Sequence, residues 1–150
     1  MVTLERFRWW HVDDVLPIER TLFQPEPWTA HHFWSELGQT ETRHYVVALD
    51  DDGTVCGYAG LCDYPDEAFV QTMAVAETHQ RQGIGALLLE DLLAEAARRR
   101  QPRVLLEVRA DNPPAQRLYE RYGFTRQGIR RGYYPEGVDA WVMERTAPSA

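Results

Sequence analysis

The chain has 150 residues, a length that fits one domain with a hydrophobic core of its own. Its 23 acidic side chains outnumber 16 basic ones, for a net charge of -7. That speaks against a dedicated nucleic-acid binder, which carries a basic excess. All 16 basic residues are arginine, so Schiff-base chemistry, a lysine general base and a Walker-type phosphate lysine are excluded.

Residues 4–10 read as a first strand. Over residues 12–23, Val12, Val15, Leu16, Ile18 and Leu22 recur at helical spacing, with Pro17 near the first turns where proline is best tolerated. Pro25 and Pro27 break this helix, and Thr29 caps a second one through Leu37. Residues 43–49 and 55–62 read as strands joined by an Asp50-Asp51-Asp52-Gly53 hairpin turn, and residues 68–75 form a third. Residues 83–100 form the strongest helical pattern. Ile84, Leu88 and Leu92 make one apolar row, Leu89, Leu93 and Ala96 its neighbour, and Arg98 to Arg100 suit the negative helix end. Residues 104–108 read as a buried parallel strand. Asn112 caps a further helix with Pro113 at its first position, and Gly123 ends it. Strands at residues 124–129 and 140–145 complete an α+β fold, antiparallel at first and then crossing over through a strand-helix-strand unit. The expected organisation is one domain over residues 1–145 and a disordered tail at 146–150.

Cys56 and Cys62 share one strand and one parity, too far apart along an extended chain to bond to each other. The five histidines are scattered and no metal-site spacing occurs, so buried free thiols and no metal are expected. The start, Met1 to Arg6, is polar and unlike a signal peptide, and no apolar stretch is long enough to span a membrane. A cytoplasmic protein without membrane contact is the expectation.

Three segments carry the chemistry. Gln80-Arg81-Gln82-Gly83-Ile84-Gly85-Ala86 follows a strand and opens the long helix. Two glycines allow close backbone approach, and free amides at a helix start favour an anion such as a pyrophosphate. A plain glycine-rich turn has the same composition. Glu107 is a carboxylate in an otherwise apolar strand, costly unless it is partnered or borders a cleft; an ion pair with Arg109 would account for it equally. Tyr119 lies on the apolar helix face of Ala115, Leu118 and Tyr122, where it packs in the core or aims its hydroxyl past it.

Gln80-x-x-Gly83-x-Gly85, Leu106-Glu107-Val108-Arg109-Ala110-Asp111-Asn112 with Leu118-Tyr119-Glu120 and Tyr122-Gly123-Phe124, and Arg130-Arg131-Gly132-Tyr133-Tyr134-Pro135 with Asp139-Ala140 form a set. Together they resemble the Gcn5-related N-acetyltransferase superfamily and, within it, the ribosomal-protein-alanine N-acetyltransferases (RimI type). Pro27-Trp28 fits the same pattern, and the likeness is strongest from Met73 to Met143. The resemblance implies acetyl-CoA as co-substrate, its pyrophosphate held by the amides of Arg81, Gln82, Gly83, Ile84, Gly85 and Ala86. It implies strand-like pairing of Met73, Ala74 and Val75 with the pantetheine arm, the Val75 amide as oxyanion donor, and Asn112 hydrogen-bonded to that arm. Asn112 acting purely as a helix cap stays open. It further implies Glu107 as general base, Tyr119 as general acid, and a basic N-terminus, that of a ribosomal protein, as acceptor. Acetylation of lysine side chains or small amines, and a non-catalytic acetyl-CoA-binding module, are the alternatives; an intact Glu107 and Tyr119 argue against the last. Tyr133 and Tyr134 receive no assignment: lining the acceptor groove and packing at a strand end suit them equally.

Overall fold

The computed structural model describes residues 1–147. Seven strands form one sheet: β1 (Thr3–Arg6), β2 (Arg43–Leu49), β3 (Val55–Asp63), β4 (Ala68–Val75), β5 (Arg103–Arg109), β6 (Thr125–Arg130) and β7 (Ala140–Thr146). Their order is β1-β2-β3-β4-β5-β7-β6, and β4 with β5 is the parallel pair among otherwise antiparallel neighbours. Four helices complete the fold: α1 (Val12–Leu22), α2 (Ala30–Leu37), α3 (Ile84–Arg98) and α4 (Pro113–Arg121). The expected α+β class is what forms.

Alternation along the strands builds two cores. On one face Val46, Ala48, Ala59, Leu61, Leu106, Val108 and Met143 pack against Ile84, Leu88, Leu89 and Leu92 of α3. On the other, Tyr45, Val47, Tyr58 and Ala74 pack against Val12, Val15 and Leu16 of α1 and Phe33 of α2. Cys56 and Cys62 are free and buried.

Several boundaries differ from expectation for local reasons. The first strand stops at Arg6, because the Arg8 N–H donates to His11 Nδ1 (2.8 Å) and turns Trp9–His11 into a short 3-10 helix. Gly83 precedes α3 as its N-cap, at φ 80, instead of opening it. Arg100, at φ 58, lies beyond the end of that helix. Strand β7 continues through Thr146, paired with Arg103, one residue into the expected tail. Residues 148–150 of that tail lie outside the described residues.

Candidate active site

The parallel pair is short. β4 and β5 pair at Ala68 with Val104 and Phe69 with Leu105, and beyond that point β4 pairs with β3 and β5 with β7. The cause is one extra residue: Gly60 faces Thr72 and Leu61 faces Val70, so Gln71 bulges and bends β4. Gly60 belongs to the same adjustment, since a Cβ there would stand 2.3 Å from the Tyr45 ring. A cleft opens between the two strands. The Ala76 N–H donates to Cys56 O (2.8 Å) on β3, so alternation turns the amides of Val75 and Met73 the other way, into the cleft. The Ala74 amide points back at β3, which leaves two of the three expected pairing residues facing the opening.

At the end of β4 the chain enters the glycine loop. The Gln80 side-chain amide donates to Val75 O (3.1 Å), tying loop to strand. Arg81 and Gly83 take left-handed φ values of 66 and 80, and no side chain caps α3. The first-turn amides of this 15-residue helix therefore stand at the positive end of its dipole. Arg81, Gln82 and Gly83 are exposed, while Ile84 is buried and anchors the turn. Gly85 has a second reason to lack a side chain: a Cβ there would lie 3.3 Å from Leu118 Cδ2, so its bare face admits α4.

Across the cleft stands Glu107, with its side chain 13% exposed. Its Oε1 lies 3.8 Å from Arg130 Nη1, and its Oε2 is buried with no hydrogen-bond partner among the described residues. The ion pair with Arg109 that the spacing allowed does not form. Arg109 instead grips Asp111 through Nε (2.9 Å) and Nη2 (3.1 Å) and lays its guanidinium 5.1 Å from the Tyr134 ring. A buried carboxylate oxygen left without a donor costs free energy.

Tyr119 is buried on α4, its ring edge-on to Phe124 (5.9 Å). Burial, then the neighbouring Tyr134, pushes its hydroxyl up to about 12. Tyr134 is likewise pushed up to about 12, by burial and then by Glu107. Tyr134, which sequence left unassigned, is placed by its connection under the Arg109 guanidinium at the end of β5. The signal was a tyrosine pair beside Pro135 in the β6–β7 connection. Asn112 caps α4 through Oδ1 to the Ala115 N–H (3.3 Å), and it is exposed. Gln116, also unassigned from sequence, is buried and donates to the carbonyls of Arg109 (2.9 Å) and Ala110 (3.0 Å). It locks the end of β5 to α4 and so fixes Glu107 relative to Tyr119. Among the described residues no cluster of three or more His, Cys, Asp or Glu side chains is placed to hold a metal ion. None of the described helices is long and apolar enough to cross a membrane.

The sheet opens between its parallel strands, with a helix start that no side chain caps at one side and the half-partnered carboxylate of Glu107 at the other. The chain belongs to the acetyltransferase (GNAT) family, whose family model matches residues 5–124. It is 42% identical over 125 residues to N-alpha-acetyltransferase RimI of Mycobacterium tuberculosis, covering 80% of this chain and 76% of that protein. It is 39% identical over 109 residues to the ribosomal protein bS18-alanine N-acetyltransferase of Escherichia coli, covering 73% and 72%. The crystal structure of the ribosomal-protein-S18-alanine N-acetyltransferase from Escherichia coli superposes with a TM-score of 0.89 at 33% identity, over 100% of this chain and 96% of that one. The protein is an acyltransferase of RimI-type resemblance, as the three motif segments indicated.

Proposed function

We propose that the protein transfers the acetyl group of acetyl-CoA to the N-terminal amine of a protein, an alanine at the start of a small-subunit ribosomal protein being the acceptor its relatives point to. The observation that carries this reading is the buried, partnerless Oε2 of Glu107 beside the opened edge of β4. The co-substrate supplies an already activated thioester. The amides of residues 81–86 hold its pyrophosphate, with the dipole of α3 behind them. Met73 and Val75 offer main-chain groups to its extended arm, and Asn112 adds its side-chain amide. The Val75 N–H polarises the thioester carbonyl as negative charge develops on its oxygen. Glu107 takes a proton from the amine, directly or through water, and Tyr119 gives one to the departing thiolate. The C–N bond forms as the C–S bond breaks. Cys56 and Cys62, both 0% exposed, take no part.

An N-terminal amine, with a pKa of about 7.7 to 8.0, is far more often neutral at pH 7 than a lysine side chain at about 10.4. It needs only modest help from Glu107. The net charge of -7 attracts a basic chain. Acetyl-CoA and newly made ribosomal proteins meet in the cytoplasm, where this reading places the reaction. The test is incubation with acetyl-CoA and two peptides, one beginning with free alanine and one N-blocked and carrying lysine, with mass-spectrometric mapping of the product. Acetylation of the alanine peptide is expected; modification of the blocked peptide alone would overturn the reading.

A further inference from the structure

Two buried carboxylates face the core beneath α1 and α2, and they are held differently. Glu36 takes the Tyr45 hydroxyl (2.6 Å) and is neutralised by Arg43 (2.9 Å). Glu19, 2% exposed, is held by hydrogen bonds alone: the Tyr58 hydroxyl donates to Oε1 (2.6 Å) and the Trp28 N–H to Oε2 (2.9 Å). A buried carboxylate without a counter-charge is expensive, and an uncharged side chain would fill the space at lower cost. The geometry it secures is therefore the point of interest. Glu19 joins three elements: α1, β3 through Tyr58, and, through Trp28, the connection between α1 and α2.

That junction lies beside the cleft. Tyr58 pairs with Ala74 on β4, within the stretch that has parted from β5. Ala74 packs in the α1 and α2 core, whereas Leu106 and Val108 pack in the α3 core, so Glu107 lies on the sheet face that α1 and α2 cover. On that face α1 packs against β3 and β4, and Glu107 stands on β5 across the opening. Trp28, in the connection that follows α1, packs on the same core as Ala74, stacked on His32 (3.8 Å between ring centroids) and tilted against Phe33 (5.2 Å).

We propose that Glu19, acting through Tyr58 and Trp28, is a positioning residue for the acceptor: it fixes residues 23–29 as one wall of the acceptor cleft and so sets how a peptide amine meets Glu107. This rests on the acceptor reading above. Glu19 touches neither substrate, and its effect falls on the peptide and not on the acyl carrier, whose contacts lie along β4 and α3.

The experiment compares Glu19→Gln and Tyr58→Phe with the wild type by three measurements: steady-state kinetics on the alanine peptide, equilibrium binding of acetyl-CoA, and hydrogen exchange by mass spectrometry. Glu19→Gln loses one acceptor for two donors, and its peptide KM is expected to rise about tenfold, the scale of one hydrogen bond to a charged group. Residues 23–29 should exchange faster while α3 and the affinity for acetyl-CoA stay unchanged. Tyr58→Phe should show the same pattern more weakly, and it serves alone if the Gln variant does not fold. An unchanged KM with unchanged exchange at residues 23–29 overturns the proposal. So does faster exchange throughout the chain with parallel loss of acetyl-CoA affinity, which would make Glu19 a general fold residue. If the wild type acetylates neither peptide, the acceptor reading falls on its own, and the exchange of residues 23–29 still decides whether Glu19 holds that connection.

Discussion

Glu107 and Arg130 stand 3.8 Å apart, carboxylate oxygen to guanidinium nitrogen, while the other carboxylate oxygen is buried without a partner. Arg130 is more than half exposed and lies 5.2 Å from the Tyr133 ring centroid, so it meets Glu107 from the solvent side. The arrangement sets a positive charge near one carboxylate oxygen and leaves the inner one without a partner among the described residues, the position that the proposed function gives to the amine.

Replacing Glu107 by Gln should therefore lower kcat by about 10²- to 10⁴-fold, the usual range for loss of a general base. Acetyl-CoA affinity should hold, because the proposed function puts the carrier against β4 and α3, away from this side chain. Steady-state rates together with calorimetric binding of acetyl-CoA check this; a wild-type kcat would remove Glu107 from the mechanism.

Tyr119→Phe keeps the ring that packs on Phe124 and removes the hydroxyl. Thiol release should slow while the melting temperature and acetyl-CoA affinity change little. Since burial pushes this phenol up to about 12, it remains protonated, and able to donate, across the working pH range. Ultraviolet titration of tyrosinate should lose one late-ionising group in the variant.

Glu95 gives a pH signature remote from the cleft. Burial pushes its carboxyl upward, but hydrogen bonds from Arg98 and Arg99 outweigh this and bring it down to about 2. A folded-state value below the unfolded one contributes stability that is present above the unfolded value and lost as the pH falls through the folded one. The wild type should lose melting temperature between about pH 4.5 and pH 2 more steeply than Glu95→Gln.

The two glycines of the α3 loop should separate under alanine substitution. At Gly83 an added Cβ meets nothing within 4 Å, yet φ is 80, so the cost is backbone strain of about 1 kcal/mol, with weakened binding of acetyl-CoA. At Gly85 the backbone is helical and the new Cβ meets the ends of two side chains, Leu118 at 3.3 Å and Val75 at 4.0 Å. Chemical denaturation and binding titrations on both variants test the contrast, which disappears if Gly83→Ala matches the wild type.

Local signals in the sequence were strong where one element explains itself. The apolar rows of α3, the Asn112 cap with Pro113, and the Thr29 cap, whose hydroxyl accepts the His32 N–H (3.2 Å), were all legible. What escaped depends on partners distant in the chain or on geometry that no residue type announces. Trp9 and Trp10 look like strand residues, but the Arg8 to His11 hydrogen bond turns them outward. Glu107 has Arg109 two positions away, yet the charge it meets is Arg130, brought over by β6 and β7. Tyr134 reaches the Arg109 guanidinium through the same hairpin. The opening between β4 and β5 comes from Gln71, an ordinary residue whose extra place in the ladder shows only once β3 is laid beside it.

That bulge shapes how the protein tolerates change. If, as proposed, the opened edge offers main chain to the acyl carrier, recognition along β4 is nearly indifferent to which side chains spell it. Saturation mutagenesis should find Met73 and Val75 permissive to apolar exchange, while an insertion or deletion of a single residue near Gln71 would be ruinous. The catalytic cleft is inherited as a matter of chain length and register, and a deletion scan would see it more clearly than any substitution scan.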